Sequence, residues 1–249
     1  MSYQSSSQIK KIRIAIFSNP FLVRLKVFYV IYCIRRKQLA EYRKTTIEDL
    51  EEIAELETEA FFDYPLYWDV LRKKFKNNAE YRKFLKLILM IELTVDLKRG
   101  NGYVGVVNDE IVSVALFHSL DDKKISMLEY FQAGATRLLP YFIRFNLWSY
   151  LKKMDQAESK SVEFSEINTY YLSILAVNPK YQDRHLGSEM IQKCVLPSIK
   201  QNGVRRVTLM TNTKPNCYFY EKNGFSVASH IQLQFGHKVV KNWSFQRLL

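Results

Sequence analysis

No part of this 249-residue sequence stays apolar for long. The longest unbroken apolar run, 27–34, falls well short of the roughly 20 residues a membrane-spanning helix needs, so no spanning segment is expected. Arg13, Arg24 and Lys26 interrupt the apolar stretch near the start, and no small-residue cleavage site follows it, which argues against a secretory leader. Cysteine is scarce. Cys33, Cys194 and Cys217 are odd in number and form no CxxC, so neither a disulfide framework nor a zinc site is indicated, and a reducing, cytoplasmic setting is expected. The four histidines, His118, His185, His230 and His237, are scattered without an HExxH, and no metal is predicted. GxxxxGK[ST] and GxGxxG are both missing, which removes the P-loop and dinucleotide-binding readings.

What the chain does have is core-forming material: 47% of it is apolar and 14% aromatic, enough for one domain with additions. The net charge of +12 is unevenly placed. Eight basic residues, Lys10 to Lys37, precede the first acid, Glu41, leaving 29 basic against 25 acidic residues in the rest. That body carries no basic stripe of the kind nucleic acid requires, and no nucleic-acid partner is expected. Residues 1–38 read first as an extra basic element of the domain and secondly as a membrane-surface segment. The domain itself is placed at 39–249.

From residue 40 the pattern becomes regular. A short strand at 40–44 leads to Thr45 and Thr46, followed by Glu48, Asp49 and Glu51, a helix start with acids in its first turn. Leu50, Ile53, Ala54 and Phe61 mark one face of that helix, with Glu57 beside them. The aromatic loop 61–68 contains Pro65 and reads as core or as a pocket wall. Helical spacing returns over 68–76 and 79–98, with Glu92 at the edge of the apolar face and predicted to be a rim charge. Asn108-Asp109 between two β-rich runs, 103–107 and 110–118, signals a hairpin. Residues 125–153 are helical in character, divided by Gly134 and Pro140, and a polar loop is predicted over 155–168.

The stretch 170–225 carries the chemistry. An almost continuously apolar run, 170–177, suits a strand buried on both faces. Pro179 ends it, a polar turn follows over 182–187, and a helix begins at Ser188, with Pro197 expected to kink it or end it near Leu196. The amino end of such a helix offers unpaired N–H groups and a partial positive charge to a pyrophosphate. A second β run, 206–211, precedes Asn216 and Tyr220, one helical turn apart on one face, before Gly224-Phe225.

These residues resemble the GNAT superfamily of acyl-CoA-dependent N-acyltransferases. Gln182-Asp183-Arg184-His185-Leu186-Gly187 is similar to its Gln/Arg-x-x-Gly-x-Gly/Ala diphosphate motif, with His185 where the first glycine stands. The segment from Asn216 through Tyr220 to Phe225 resembles its acetyl-CoA exit and catalytic segment. The resemblance spans about 39–249, with a helical insertion around 119–168. It implies an α/β GNAT fold: a mixed, mostly antiparallel sheet with two splayed parallel central strands, flanked by helices, and a carboxy-terminal hairpin turned at Gly236.

It further implies acetyl-CoA as co-substrate, held by the backbone of Gln182, Asp183, Arg184, His185, Leu186, Gly187 and Ser188. Leu175, Ala176 and Val177 would pair with the pantetheine arm, and Asn216 would steady its sulfur end. Tyr220 would be the general acid facing the leaving thiolate. Lys180, Arg184, Lys214 and Lys222 read first as solvated surface charges and secondly as contacts to the ribose phosphate. For the base, His118, Glu163, Glu166, Tyr170 and Tyr171 are the candidates. The implied activity is acetyl transfer to a primary amine, small molecule or protein, by direct attack; an acyl-CoA-binding module without turnover is the alternative. A left-handed His185 would cost about 1 to 2 kcal/mol.

Overall fold

The computed structural model describes residues 40–100, 102–145, 147–163 and 168–249, and the basic extension 1–38 lies outside them. Ala40–Leu249 form one compact unit. Its strands are β1 (Glu41–Lys44), β2 (Gly102–Val107), β3 (Glu110–Ser119), β4 (Thr169–Val177), β5 (Arg206–Thr211), β6 (Ser226–Phe235) and β7 (Lys238–Leu248). They form one seven-stranded sheet in the order β1-β2-β3-β4-β5-β7-β6. Only β4 and β5 run parallel; the other neighbours are antiparallel. This is the α/β GNAT sheet that the sequence resemblance implies.

Local chemistry accounts for the elements. Asn108 and Asp109 adopt φ of 50° and 62°, the positive-φ pair that a two-residue hairpin turn needs, and so join β2 to β3. Helix α1 (Leu50–Ala60) follows a turn in which the Asp49 carboxylate accepts from the Thr46 N–H at 2.8 Å and from the Arg43 guanidinium at 2.7 Å. Pro65 does not merely end α1. It occupies the first turn of a new helix, α2 (Pro65–Leu71), where a missing N–H costs nothing. The long helix α3 (Asn78–Lys98) is capped by Asn77, whose side chain accepts from the Glu80 N–H.

Between β3 and β4 lie α4 (Met127–Gln132), α5 (Leu139–Phe145) and α6 (Leu147–Val162). Two expectations change here. Pro140 lies in the first turn of α5 instead of dividing a helix. The predicted polar loop from 155 is helical to Val162, because Ala157 and Ser161 are buried, and Ser161 Oγ lies 3.1 Å from Ser244 Oγ of β7.

Pro197 does not stop the next helix either. Helix α7 runs through residues 186–201, with a π-helical stretch at Met190–Val195 directly before the proline. Changed backbone pairing in that turn accommodates the missing N–H. Met190, Ile191, Cys194 and Ile199 of α7 pack against Leu172, Val207, Leu209 and Phe245 of the sheet, which fixes where the helix begins.

Candidate active site

The parallel pair is short. β4 and β5 are in register only at Thr169–Arg206, Tyr170–Val207 and Tyr171–Thr208. Beyond that point β4 pairs with β3 alone and β5 with β7 alone, so the sheet opens and one edge of β4 has no strand partner. A bulge falls beside the opening. Leu116 pairs with Ile174 and Phe117 with Leu172, so Ser173 has no partner on β3, and its Oγ donates to the Leu116 carbonyl at 3.1 Å. Leu175, Ala176 and Val177 follow on the open strand, Ala176 buried and its neighbours half-buried.

The predicted cradle lies at the end of that strand. Gln182, Asp183, Arg184 and His185 are exposed, Leu186 and Gly187 are buried, and Ser188 is half-buried. Gln182 Nε2 donates back to the Val177 carbonyl at 3.3 Å, tying the loop to β4. The first bond of α7 runs from the Glu189 N–H to the His185 carbonyl at 2.9 Å, so the N–H groups of Leu186, Gly187 and Ser188 fall outside the helical ladder. Two side-chain-bearing residues, Asp183 (φ 60°) and His185 (φ 64°), bend the loop through the left-handed region. A Cβ on Gly187 would lie 3.1 Å from Phe219 Cζ, so glycine lets α7 approach the next helix. These features fit a diphosphate held by backbone. Lys180, Arg184, Lys214 and Lys222 are exposed around it, and the Arg184 guanidinium lies 4.8 Å from the centre of the Tyr181 ring.

Helix α8 (Lys214–Lys222) begins after β5, capped by the Thr213 side chain, with Pro215 in its first turn. It carries Asn216 and Tyr220. Tyr220 is 8% exposed and packs edge-on against Phe219 and Phe225, with Phe245 at 5.8 Å. Burial, and then the neighbouring Tyr64, push its pKa well above the phenol range, so it stays a protonated donor across ordinary pH. Asn216 is half-buried in the first turn of α8, its N–H donating to Thr213 Oγ1 at 3.3 Å, and the Tyr64 hydroxyl lies at the end of β5 just before it. That hydroxyl accepts from the Asn212 N–H at 2.8 Å and lies 3.2 Å from Thr211 Oγ1. The aromatic loop thus docks on the end of β5 beside Tyr220, and Tyr64 is part of the wall.

Of the base candidates, Glu163 is exposed and paired with Lys160 at 2.8 Å, and Glu166 lies outside the described residues. Tyr171 is 3% exposed, and burial, then the charge of Glu158, pushes its pKa up, away from a base. The His118 ring lies tilted against that of Tyr171, centroids 5.6 Å apart, and burial lowers its pKa.

A residue that sequence reasoning left aside is better placed. Glu57 is 1% exposed, and its Oε1 has no hydrogen-bond partner among the described residues. It lies on α1, which packs over β3 and β4 beside the bulge and against α3. Burial, then the charges of Glu92 and Asp96, push its pKa well above the carboxylate range. The signal was an acid close to an apolar face, at the position between Leu56 and Thr58, both buried.

Glu92 is exposed at the edge of α3, the rim charge expected, although its surroundings, then Asp96 and Glu158, push its carboxyl up to about 8. Asp96, one turn along α3, is pushed up to about 6, chiefly by burial. Tyr67 of α2 is buried, its ring centre 6.4 Å from that of Tyr64, and burial, then the charge of Glu92, push its pKa well up. A separate surface groove of about 480 Å³, lined by Trp68, Asp69, Arg72, Lys73, Asn78 and Lys238, shares none of these groups. Among the described residues no three His, Cys, Asp or Glu are placed to hold a metal ion.

Comparison with known proteins agrees with this geometry. A family model described as an acetyltransferase (GNAT) domain matches residues 154–227, spanning β4, α7, β5 and α8. Among solved structures, the chain is similar to a Drosophila melanogaster polyamine N-acetyltransferase that catalyses the formation of N-acetylagmatine, at 13% identity and TM-score 0.58, covering 84% of this chain and 100% of that one. It is also similar to mosquito arylalkylamine N-acetyltransferase like 5b, at 16% identity and TM-score 0.52, with 84% and 100% covered. A histone acetyltransferase HPA2-related structure from Corynebacterium glutamicum aligns at 13% identity and TM-score 0.54, with 84% and 96% covered. At these identities the likeness is one of fold. No curated protein matches the chain in sequence.

Proposed function

We propose that the GNAT acetyltransferase domain formed by this chain transfers an acetyl group from acetyl-CoA to the primary amine of a small molecule, by direct attack on the thioester. The observation that supports this reading is the opening of the sheet after Tyr171 and Thr208, with α7 starting beyond the open, bulged edge of β4 and α8, which carries Tyr220, starting beyond β5. The names of the structural relatives, which include acetyltransferases of polyamines and arylalkylamines, support an amine acceptor.

Each residue has a distinct task. The backbone of residues 182–188 holds the CoA diphosphate, with the open edge at Leu175, Ala176 and Val177 pairing with the pantetheine arm. Asn216, in the first turn of α8, steadies the sulfur end. Glu57 takes the proton from the incoming ammonium. Burial makes that transfer favourable, because a neutral amine beside a neutral carboxylic acid costs less in a desolvated site than an ion pair does. Tyr220 donates to the departing thiolate. Its raised pKa is matched by the thiolate, whose basicity rises in the same dry surroundings.

The test is thiol release from acetyl-CoA with an amine panel. Tyr220→Phe should lower kcat by roughly 100-fold with little change in KM, the loss expected for one general acid. An unchanged kcat would remove Tyr220 from the mechanism. CoA binding without thiol release from any amine would favour the binding-module alternative.

A further inference from the structure

A helix on a protein surface is expected to bury one apolar face and show water a polar one. Helix α5 and the first turns of α6 are apolar on both sides. Inward, Phe145, Leu147 and Tyr150 are buried in the aromatic cluster that holds Tyr81 and Phe84. Outward, Ile143 is 87% and Trp148 66% exposed, with Leu139 one turn before Ile143 and Leu151 one turn after Trp148, both exposed as well. The ring centres of Trp148 and Phe142 lie 5.2 Å apart, which joins the two helices into one surface. Single exposed apolar side chains need no explanation, but a contiguous group of them marks a place where something docks.

The charge around this surface has one sign. No acidic residue occurs between Glu129 and Asp155, whereas Arg137, Arg144, Lys152 and Lys153 do. None of these four has a salt bridge among the described residues. A second basic run, Arg72-Lys73-Lys74-Phe75-Lys76, is drawn to the same place: Phe75 packs on Phe145 with ring centres 4.8 Å apart, and Lys74 Nζ donates to the Phe145 carbonyl at 2.9 Å. The acids of α6, Asp155 and Glu158, begin only at its third turn, past Trp148 and Leu151. What complements such a surface is both apolar and anionic. A second copy of the chain meets the first requirement and fails the second, because a two-fold pair would set these cations against themselves.

We propose that the outer face of α5 and of the first two turns of α6 docks on an anionic lipid bilayer. Ile143 and Trp148 enter the boundary between headgroups and acyl chains, which suits an indole with one wet edge, and Arg144 and Lys152 meet the lipid phosphates and carboxylates. The face shares no residue with the acetyl-transfer site, so the inference stands apart from that reading.

The test is co-sedimentation of the full chain with vesicles of phosphatidylcholine alone and of equal parts phosphatidylcholine and phosphatidylserine. The native protein should bind the anionic vesicles and leave the neutral ones. Arg144→Gln/Lys152→Gln should weaken that binding by roughly 30-fold, at about fivefold for each cation near such a surface. Ile143→Ser/Trp148→Ser should weaken it by roughly 10-fold or more, since the inserting apolar area is gone. Both variants change exposed side chains only, and unaltered CoA affinity checks the fold. Residues 1–38 are common to all three proteins, so binding that either variant keeps in full comes from elsewhere in the chain and would overturn the assignment. No binding by the native protein, or equal binding to both kinds of vesicle, would overturn it too. Sedimentation velocity covers the other occupant: a native dimer that Ile143→Ser/Trp148→Ser dissociates would give the face to a second copy.

Discussion

Replacing His185 with glycine separates two roles that the loop conflates. His185 sits at φ 64° and ψ 8°, exposed, and its side chain makes no capping hydrogen bond. The conformation is imposed by its surroundings: the carbonyl of His185 receives the first bond of α7, and the approach of Gly187 to Phe219 holds that helix in place. A non-glycine residue held there costs about 1 to 2 kcal/mol. Glycine removes that cost but gives up about 0.5 to 1 kcal/mol through its freer unfolded chain. The net gain is therefore about 0 to 1.5 kcal/mol, or up to about 6 °C in Tm for a domain of this size. Because the strain belongs to the folded loop with or without cofactor, CoA affinity should stay within about twofold by the same reasoning. His185→Ala is the control, since it loses the imidazole and keeps the strain. Thermal denaturation and CoA titration of all three proteins give the answer. A glycine variant less stable than the native protein would refute the strain argument, and a matched loss of CoA affinity in both variants would assign the imidazole to a phosphate.

Three further outcomes follow from the site. Gly187→Ala places a methyl 3.1 Å from Phe219 Cζ and should cost about 1 to 3 kcal/mol, with weaker CoA binding, measurable by denaturation and titration. Glu57 must be ionised to accept a proton, so activity should rise as pH climbs through its raised pKa; Glu57→Gln should lower kcat and erase that limb of the pH–rate profile. Glu92, at about 8 in the fold against 4.5 ordinarily, binds its proton more tightly when folded, so it favours the fold below about pH 4.5, and that contribution is lost as pH rises to about 8. Glu92→Gln should accordingly raise Tm at pH 8.5 and leave it nearly unchanged at pH 4.5; an equal effect at both would refute the burial argument.

The sheet and its cofactor end were legible because their signals are local. β5 occupies 206–211 as read, and the Asn108-Asp109 turn needed only its own backbone preference. Motif spacing placed Gly187 and the helix that carries Asn216 and Tyr220, and Phe219 of that helix packs on Gly187. The acids were not legible. Periodicity places Glu92 at the edge of a face of α3, but what stands opposite that edge is decided by elements such as α1, 32 or more residues away in sequence. The helix over 155–162 was missed for a similar reason. Its polar surface masks a narrow buried stripe of small residues, Ala157 and Ser161, which hydrophobic patterning cannot see.

The three rungs that join β4 to β5 also set the mechanics of the molecule. Two antiparallel half-sheets, β1–β4 and β5–β7, each hold together through long ladders, while the seam between them has only Thr169–Arg206, Tyr170–Val207 and Tyr171–Thr208. Relative movement of the halves therefore concentrates at this seam. The seam is the apex of the opening, so a small rotation there is levered into a larger change at the mouth, where α7 and α8 begin. A short parallel junction thus acts as the hinge pin of the cleft.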